Sequence, residues 1–209
     1  MSRLEGEALA AWLRERAGKL TASRMRDAMA VKKDGKPTAE RAKLMRELLA
    51  ERLAGDSVRH FVNDAMQWGL DHEDDAKAVY EAETGNLILD VGFFNHPTID
   101  NFGATPDGRI DDGLIETKCP NTTTHIGWII DGVVPEEHKP QMIAQMLCTD
   151  TTCCDFVSYD PRMKKVEHRL FVVRFTPTQE ERDKVEMEAV KFLRELDFAF
   201  DLFVGGRKE

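Results

Sequence analysis

The hydrophobic pattern changes period once, at Gly85-Asn86, and that switch restricts the possible folds more than any other feature. Before it, apolar residues recur at helical spacing. Glu5–Ala17 predicts a helix, and Thr21-Ala-Ser-Arg-Met opens a short second one with Thr21 or Ser23 as N-cap. A basic loop at Lys32–Pro37 leads to a helix from Thr38 to about Leu53, closed by Gly55, and a long helix covers Phe61–Glu83. After the switch the pattern alternates. Strands are expected at Leu87–Leu89, Val91–Phe94, Phe102–Ala104, Arg109-Ile110, Leu114–Lys118, Asp155–Tyr159 and Val166–Phe175. Helices are expected at Thr122–Ile130 and Glu136–Cys148, and a closing one runs from Thr178 to about Phe203 with Thr178 and Glu181 as a capping box. Helices followed by strands and helices again, without repeats or linkers, predict an α/β fold: one domain over 1–209 with a central mixed sheet flanked by helices.

Composition excludes several classes. With 42% hydrophobic residues in 209, the chain can bury a core, and no apolar run reaches the roughly 18 residues of a membrane span. Four cysteines with no C-x-x-C pair argue against a disulfide scaffold or a zinc site, and the first residues lack the pattern of a secretion signal. A reduced, cytoplasmic protein is the expectation. The net charge of −9 is unevenly spread. Arg14–Arg59 holds thirteen Lys or Arg against seven acids, whereas His60–Glu116 holds two bases against thirteen acids. A basic segment suits an anion and an acidic one suits divalent cations, although two solvated helix faces of opposite sign would look the same.

The segment Thr105–Lys118 carries the chemistry. If Asp112-Gly113 forms a two-residue hairpin turn, Asp107 lies opposite Lys118, and Asp107, Glu116 and Lys118 share one face. Two carboxylates and an ammonium together are what metal-assisted phosphodiester hydrolysis requires: oxygen ligands for a hard cation, and a positive group for developing charge. Alone, the pattern equally describes an acidic surface hairpin. On the Phe61–Glu83 helix, Ala65, Trp68, Gly69, Ala76, Val79 and Tyr80 make an apolar stripe with Glu73 at its margin. A half-buried acid there needs a cation, whereas His72 inside the stripe reads as a core histidine.

The wider pattern resembles the phage lambda-type exonuclease (YqaJ-like viral recombinase) family of the PD-(D/E)XK nuclease superfamily. Leu20-Thr-Ala-Ser23, Trp68-Gly-x-x-x-Glu73, Thr105-Pro-Asp-Gly108, Glu116-Thr-Lys-Cys-Pro120, Gln141 and Tyr159-Asp-Pro-Arg-Met-Lys164 occur in that family's order, over roughly Trp12–Arg174. The resemblance implies a restriction-endonuclease-like core and a processive Mg²⁺-dependent 5′→3′ exonuclease on double-stranded DNA ends. Mn²⁺ would substitute, with two ions the expected number. It implies Asp107, Glu116 and the Thr117 carbonyl as metal ligands, Lys118 as the group that orients the water, and Glu73 and Gln141 as further site residues. Arg16 and Ser23 would hold the 5′-phosphate, Thr105 would add a hydroxyl, and Met66 would wedge between the strands. It further implies a ring-shaped homotrimer, 3′ single-stranded tails and a single-strand annealing partner. An iron–sulfur cluster would need a cysteine before the core, and the first here is Cys119. The rival readings are a sequence-specific endonuclease on the same core and a non-catalytic DNA-end clamp.

Overall fold

The computed structural model describes residues 6–57 and 63–206, so the expected helix starts at Glu5 and Phe61 lie outside the described residues. The N-terminal part is helical, as the periodicity requires: α1 (Gly6–Arg16), α2 (Met25–Met29), α3 (Ala39–Ala54) and α4 (Asp64–Thr84). The Thr38 hydroxyl accepts from the Arg41 amide to start α3, and the Asn63 side chain accepts from the Met66 amide to start α4. Gly55 and Gly85 end these helices at φ 69° and 75°, the left-handed region that favours glycine. Thr21 takes the expected N-cap position, ahead of a 3-10 turn at Ala22–Arg24, but without a side-chain capping bond. Thr21 ends the two-residue strand β1 (Leu20–Thr21), and neither hydroxyl caps a helix; their oxygens lie 3.3 Å apart.

Two sheets follow. The smaller has the order β1-β3-β2, with β2 (Phe94–Asn95) and β3 (Phe102–Ala104). Leu87–Leu89 and Val91–Phe94 do not form the two expected strands; only a bridge from Leu89 to Arg109 and the pair in β2 remain. The larger sheet has the order β4-β5-β6-β7, comprising β4 (Gly108–Ile110), β5 (Gly113–Lys118), β6 (Cys154–Tyr159) and β7 (Leu170–Phe175). β5 and β6 run parallel, joined through α5 (Thr122–Asp131) and α6 (Lys139–Thr149). Residues 166–168 form a 3-10 turn instead of extending β7, and α6 begins three residues later than expected, with His138 as its N-cap. α7 (Gln179–Val204) closes the chain, its Thr178–Glu181 capping box formed as the spacing predicts.

The β4–β5 register corrects the sequence reading. Arg109 pairs with Leu114 and Ile110 with Gly113, so Asp111-Asp112 is the turn. Continuing the ladder puts Asp107 opposite Glu116 instead of Lys118. The shift is two residues in the pairing, so every side chain keeps its face. Gly113 is small for a different reason: a Cβ there would lie 2.6 Å from the Cys153 carbonyl oxygen.

β5 divides two apolar clusters. Leu114 packs with Phe156, Met142, Met146 and Phe192, while Ile115 packs with Tyr80, Ile110 and Val157 beneath α4. In the second layer, buried Asp155 accepts from the Tyr80 hydroxyl at 2.7 Å and from Arg174 Nε at 2.7 Å, and Arg174 also reaches Asp112 at the hairpin tip. Burial, then the bond to Asp155, pushes the Tyr80 phenol up to about 12. Tyr80→Phe removes one donor from this buried carboxylate and should cost about 1–3 kcal/mol, read as a lower urea midpoint at unchanged slope.

Candidate active site

Glu116 is fully buried at the centre of β5, and a buried carboxylate is tolerated only when its oxygens are satisfied. Lys118 Nζ donates to Oε1, Gln141 Nε2 donates to Oε1 at 2.6 Å, and Gln145 Nε2 donates to Oε2 at 2.6 Å. The two glutamines are four residues apart on α6 and therefore share a face. Gln145 went unread in the sequence, although its spacing from Gln141 was the available signal. Asp107 Oδ2 accepts from the Thr117 amide at 2.7 Å, which ties the start of β4 to the end of β5.

Negative charge exceeds what the protein itself supplies to balance it. Burial first, then the charges of Glu116 and Glu73, push the Asp107 carboxyl up to about 7, despite Lys118 and the Thr117 amide. Burial alone would lower Lys118, but Glu116 and Asp107 outweigh it and hold the ammonium above its ordinary value, so it stays protonated at neutral pH. Glu73, on α4, ion-pairs with Lys77 at 3.0 Å. Among the described residues no three His, Cys, Asp or Glu side chains form a ready metal cluster. The donors near Asp107 are two carboxylates and strand backbone, all hard oxygen, and the Asp107 carboxyl is raised by burial and then by the neighbouring acids. That set fits Mg²⁺ or Mn²⁺ and not a soft metal.

His138, also unread in the sequence, lies beside this cluster. It stacks on Phe156 with centroids 5.4 Å apart and meets Trp128 edge-on. Burial, then the Lys118 charge, pushes it down to about 4, so it is neutral. Cys119 is likewise inert: burial, then Glu73, raises its thiol to about 12.

A cavity of about 630 Å³ in the N-terminal region is lined by Trp12, Arg16, Ser23, Arg24, Lys43 and Met66, among others. The structure thus brings three of the sequence-derived residues together: Arg16, Ser23 and Met66, the last 54% exposed. The fourth, Thr105, joins them through hydrogen bonds: Arg16 Nη1 donates to its hydroxyl at 2.9 Å and Trp12 Nε1 at 3.3 Å. Thr105 is two residues before Asp107, so the cavity and the carboxylates are joined through Thr105-Pro106. Arg16 also lies 4.1 Å from the Trp12 ring centroid; burial lowers its pKa to about 10, which leaves it charged at neutral pH. A depression of about 600 Å³ along α7 is formed by one helix face and gathers no comparable set.

The α4 stripe is only partly buried. Ala76 and Tyr80 are in the core, Ala65 is exposed and Trp68 half-buried. His72 is not a core histidine: its Nδ1 lies 3.3 Å from Asp75 at the surface, and its ring packs on Trp68. The Tyr159–Lys164 segment has a bracing role. Arg162 donates to Asp160 at 2.7 Å and to the Pro120 carbonyl at 2.7 Å, and its guanidinium covers Trp68 at 4.3 Å, so it links β6, the end of β5 and α4.

The YqaJ-like viral recombinase domain matches residues 11–152, which include the cavity, both carboxylates, Lys118 and both glutamines. The chain belongs to that family. LHK-Exo, an alkaline exonuclease from Laribacter hongkongensis, is 41% identical over 92% of this chain and 95% of its own, with a TM-score of 0.85. The same protein solved in complex with dAMP aligns equally well. A phage related exonuclease from Haemophilus somnus 129PT shares the fold at TM-score 0.66 and 17% identity, over 90% of this chain and 95% of that one. Among curated proteins nothing matches.

If a cation is held at Asp107, the shift of that carboxyl sets the pH dependence of its binding. A cation must displace the Asp107 proton below about pH 7. Mg²⁺ affinity, followed as the rise in melting temperature, should therefore be roughly tenfold weaker at pH 6 than at pH 8. Without cation the sign reverses: the folded chain holds this proton more tightly than the unfolded one, so the group's contribution to stability falls as pH rises from 3.8 to about 7.

Proposed function

We propose that the protein is a divalent-metal-dependent exonuclease that digests double-stranded DNA from 5′ ends, releasing mononucleotides and leaving 3′ tails. The observation that carries this is that Asp107, just past the last β4–β5 pair and bonded through Oδ2 to the Thr117 amide, has its carboxyl raised to about 7 by burial and then by the nearby charge of Glu116, which Lys118 contacts. The exonuclease named in LHK-Exo, 41% identical over nearly the whole length, supports the same reading.

Asp107, Glu116 and the Thr117 carbonyl would hold Mg²⁺ or Mn²⁺, following the D…E-x-K pattern of the PD-(D/E)XK nucleases. When bound, the cation supplies Lewis-acid activation of the phosphate and of the attacking water. Lys118, protonated and in contact with Glu116 in this structure, is placed to orient the water and offset charge that grows on the phosphate. Gln141 donates to Glu116 Oε1 from the accessible side of the site. Glu73 adds negative potential at Asp107 from α4.

The cavity supports the 5′ direction that the family resemblance implies. Arg16 is charged, half-buried and fixed to Thr105, and a pre-oriented guanidinium grips a terminal phosphate bidentately. Ser23 adds a hydroxyl and exposed Met66 an apolar surface for the end base pair. Thr105, bonded to Arg16 and two residues before Asp107, links this cavity to the carboxylates. A homotrimeric ring and an annealing partner are part of the same reading, resting on the family resemblance. No helix among the described residues is long and apolar enough to cross a membrane.

The test is digestion of end-labelled linear duplex with and without Mg²⁺. The 5′ strand should shorten only with Mg²⁺, and closed circles should survive; cutting of circles would favour an endonuclease. Asp107→Ala and Lys118→Ala should each lower the rate by about 10²-fold or more; wild-type rates in either would remove the site assignment. Arg16→Ala should abolish the preference for a 5′-phosphate over a 5′-hydroxyl end, whereas a preserved preference would place the phosphate elsewhere.

A further inference from the structure

We infer that Gln145 is a positioning residue of the carboxylate pair, and that it assigns the two oxygens of Glu116 to different tasks. The inference deepens the metal-dependent reading above and rests on it. Glu116 is approached from two sides. Lys118 and Gln141, both partly accessible, donate to Oε1. Gln145 is 1% exposed, flanked on α6 by the buried Ala144 and Met146, and donates to Oε2 from inside the core. Donors on the accessible side can give way to an incoming cation. A carboxamide locked in the core cannot. Oε1 is therefore the oxygen turned to the cation, and Oε2 is the anchored one.

The choice of glutamine has a chemical reason. Lysine or arginine at 145 would neutralise Glu116 and compete with the cation for its charge. An apolar residue would leave Oε2 buried without a donor. A neutral carboxamide holds the oxygen and leaves the charge in place. The arrangement also fixes the amide orientation, because only Nε2 can face the carboxylate. Gln145 Oε1 is consequently buried with no hydrogen-bond partner. An orphaned buried acceptor is uncommon in folded proteins, and holding Glu116 is the compensating task.

The test compares Mn²⁺ affinity, read from the paramagnetic resonance of free Mn²⁺, in the wild-type protein, Gln145→Met and Gln145→Asn. The asparagine variant keeps a carboxamide but falls one methylene short, and it provides the measurement if the methionine variant does not fold. Affinity for 5′-phosphorylated duplex in EDTA serves as the control. The positioning role predicts Mn²⁺ binding weaker by about tenfold or more in each folded variant, with duplex affinity within about twofold of wild type. Activity should return as Mn²⁺ is raised. Unchanged Mn²⁺ affinity, or joint loss of Mn²⁺ and duplex binding that added metal does not rescue, would overturn it. A wild-type protein that binds no Mn²⁺ would overturn the metal reading itself, and this inference with it.

Discussion

A carboxylate with no exposed surface, Glu116, stands in the middle of the larger sheet, and much of the surrounding structure exists to hold it there. Taking such a charge out of water costs several kcal/mol unless donors replace the lost hydration. The replacements come from both sequence neighbours and distant elements: Lys118 two residues along the strand, and Gln141 and Gln145 from α6. The parallel β5–β6 connection through α5 and α6 brings that helix over the sheet face that carries Glu116. Leu114 and Phe156 lie in the same cluster as Met142 and Met146 of α6, so the apolar packing that fixes the helix also fixes its two glutamines.

The second carboxylate depends on the first. Asp107 is set opposite Glu116 by the hairpin, and Tyr80, Asp155, Arg174 and Asp112 brace the hairpin from the other layer. Burial first, and then the neighbouring charge of Glu116, push the Asp107 carboxyl up to about 7. The basic N-terminal third resolves in the same terms. Arg41 and Arg52 are engaged with Glu195 and Asp197 on α7, and Arg24 with Glu47. Arg16 bonds Thr105 and lines the cavity, so much of the positive segment works as scaffold and one part of it faces an anion site.

The chain made some of this legible and hid the rest for identifiable reasons. Caps at Thr38, Gly55, Gly85 and Thr178 were readable because each depends on one residue and its local backbone. The hairpin turn was misplaced because Asp112-Gly113 carries a turn signal, yet Gly113 is required by the approach of Cys153, a contact 40 residues away. The faces of Asp107 and Glu116 survived because a two-residue shift preserves parity. Leu87–Phe94 looked like strand because it is apolar, but Leu87 and Leu89 are exposed and most of the segment has no partner strand. His72 and Ala65 follow the helical stripe, which fails in the first half of α4; of the stripe only the later Ala76 and Tyr80 are fully buried. Gln145 is legible only through its four-residue spacing from Gln141, because a glutamine on a helix reads as surface until tertiary packing puts it in the core.

The most direct check is where a cation binds. A crystal grown with Mn²⁺ and measured at a wavelength where manganese scatters anomalously locates the ion without reference to activity. A peak is expected about 2.1 Å from both an Asp107 carboxylate oxygen and Glu116 Oε1, with Oε2 still bonded to Gln145. A peak elsewhere, or one that touches neither carboxylate, would contradict it.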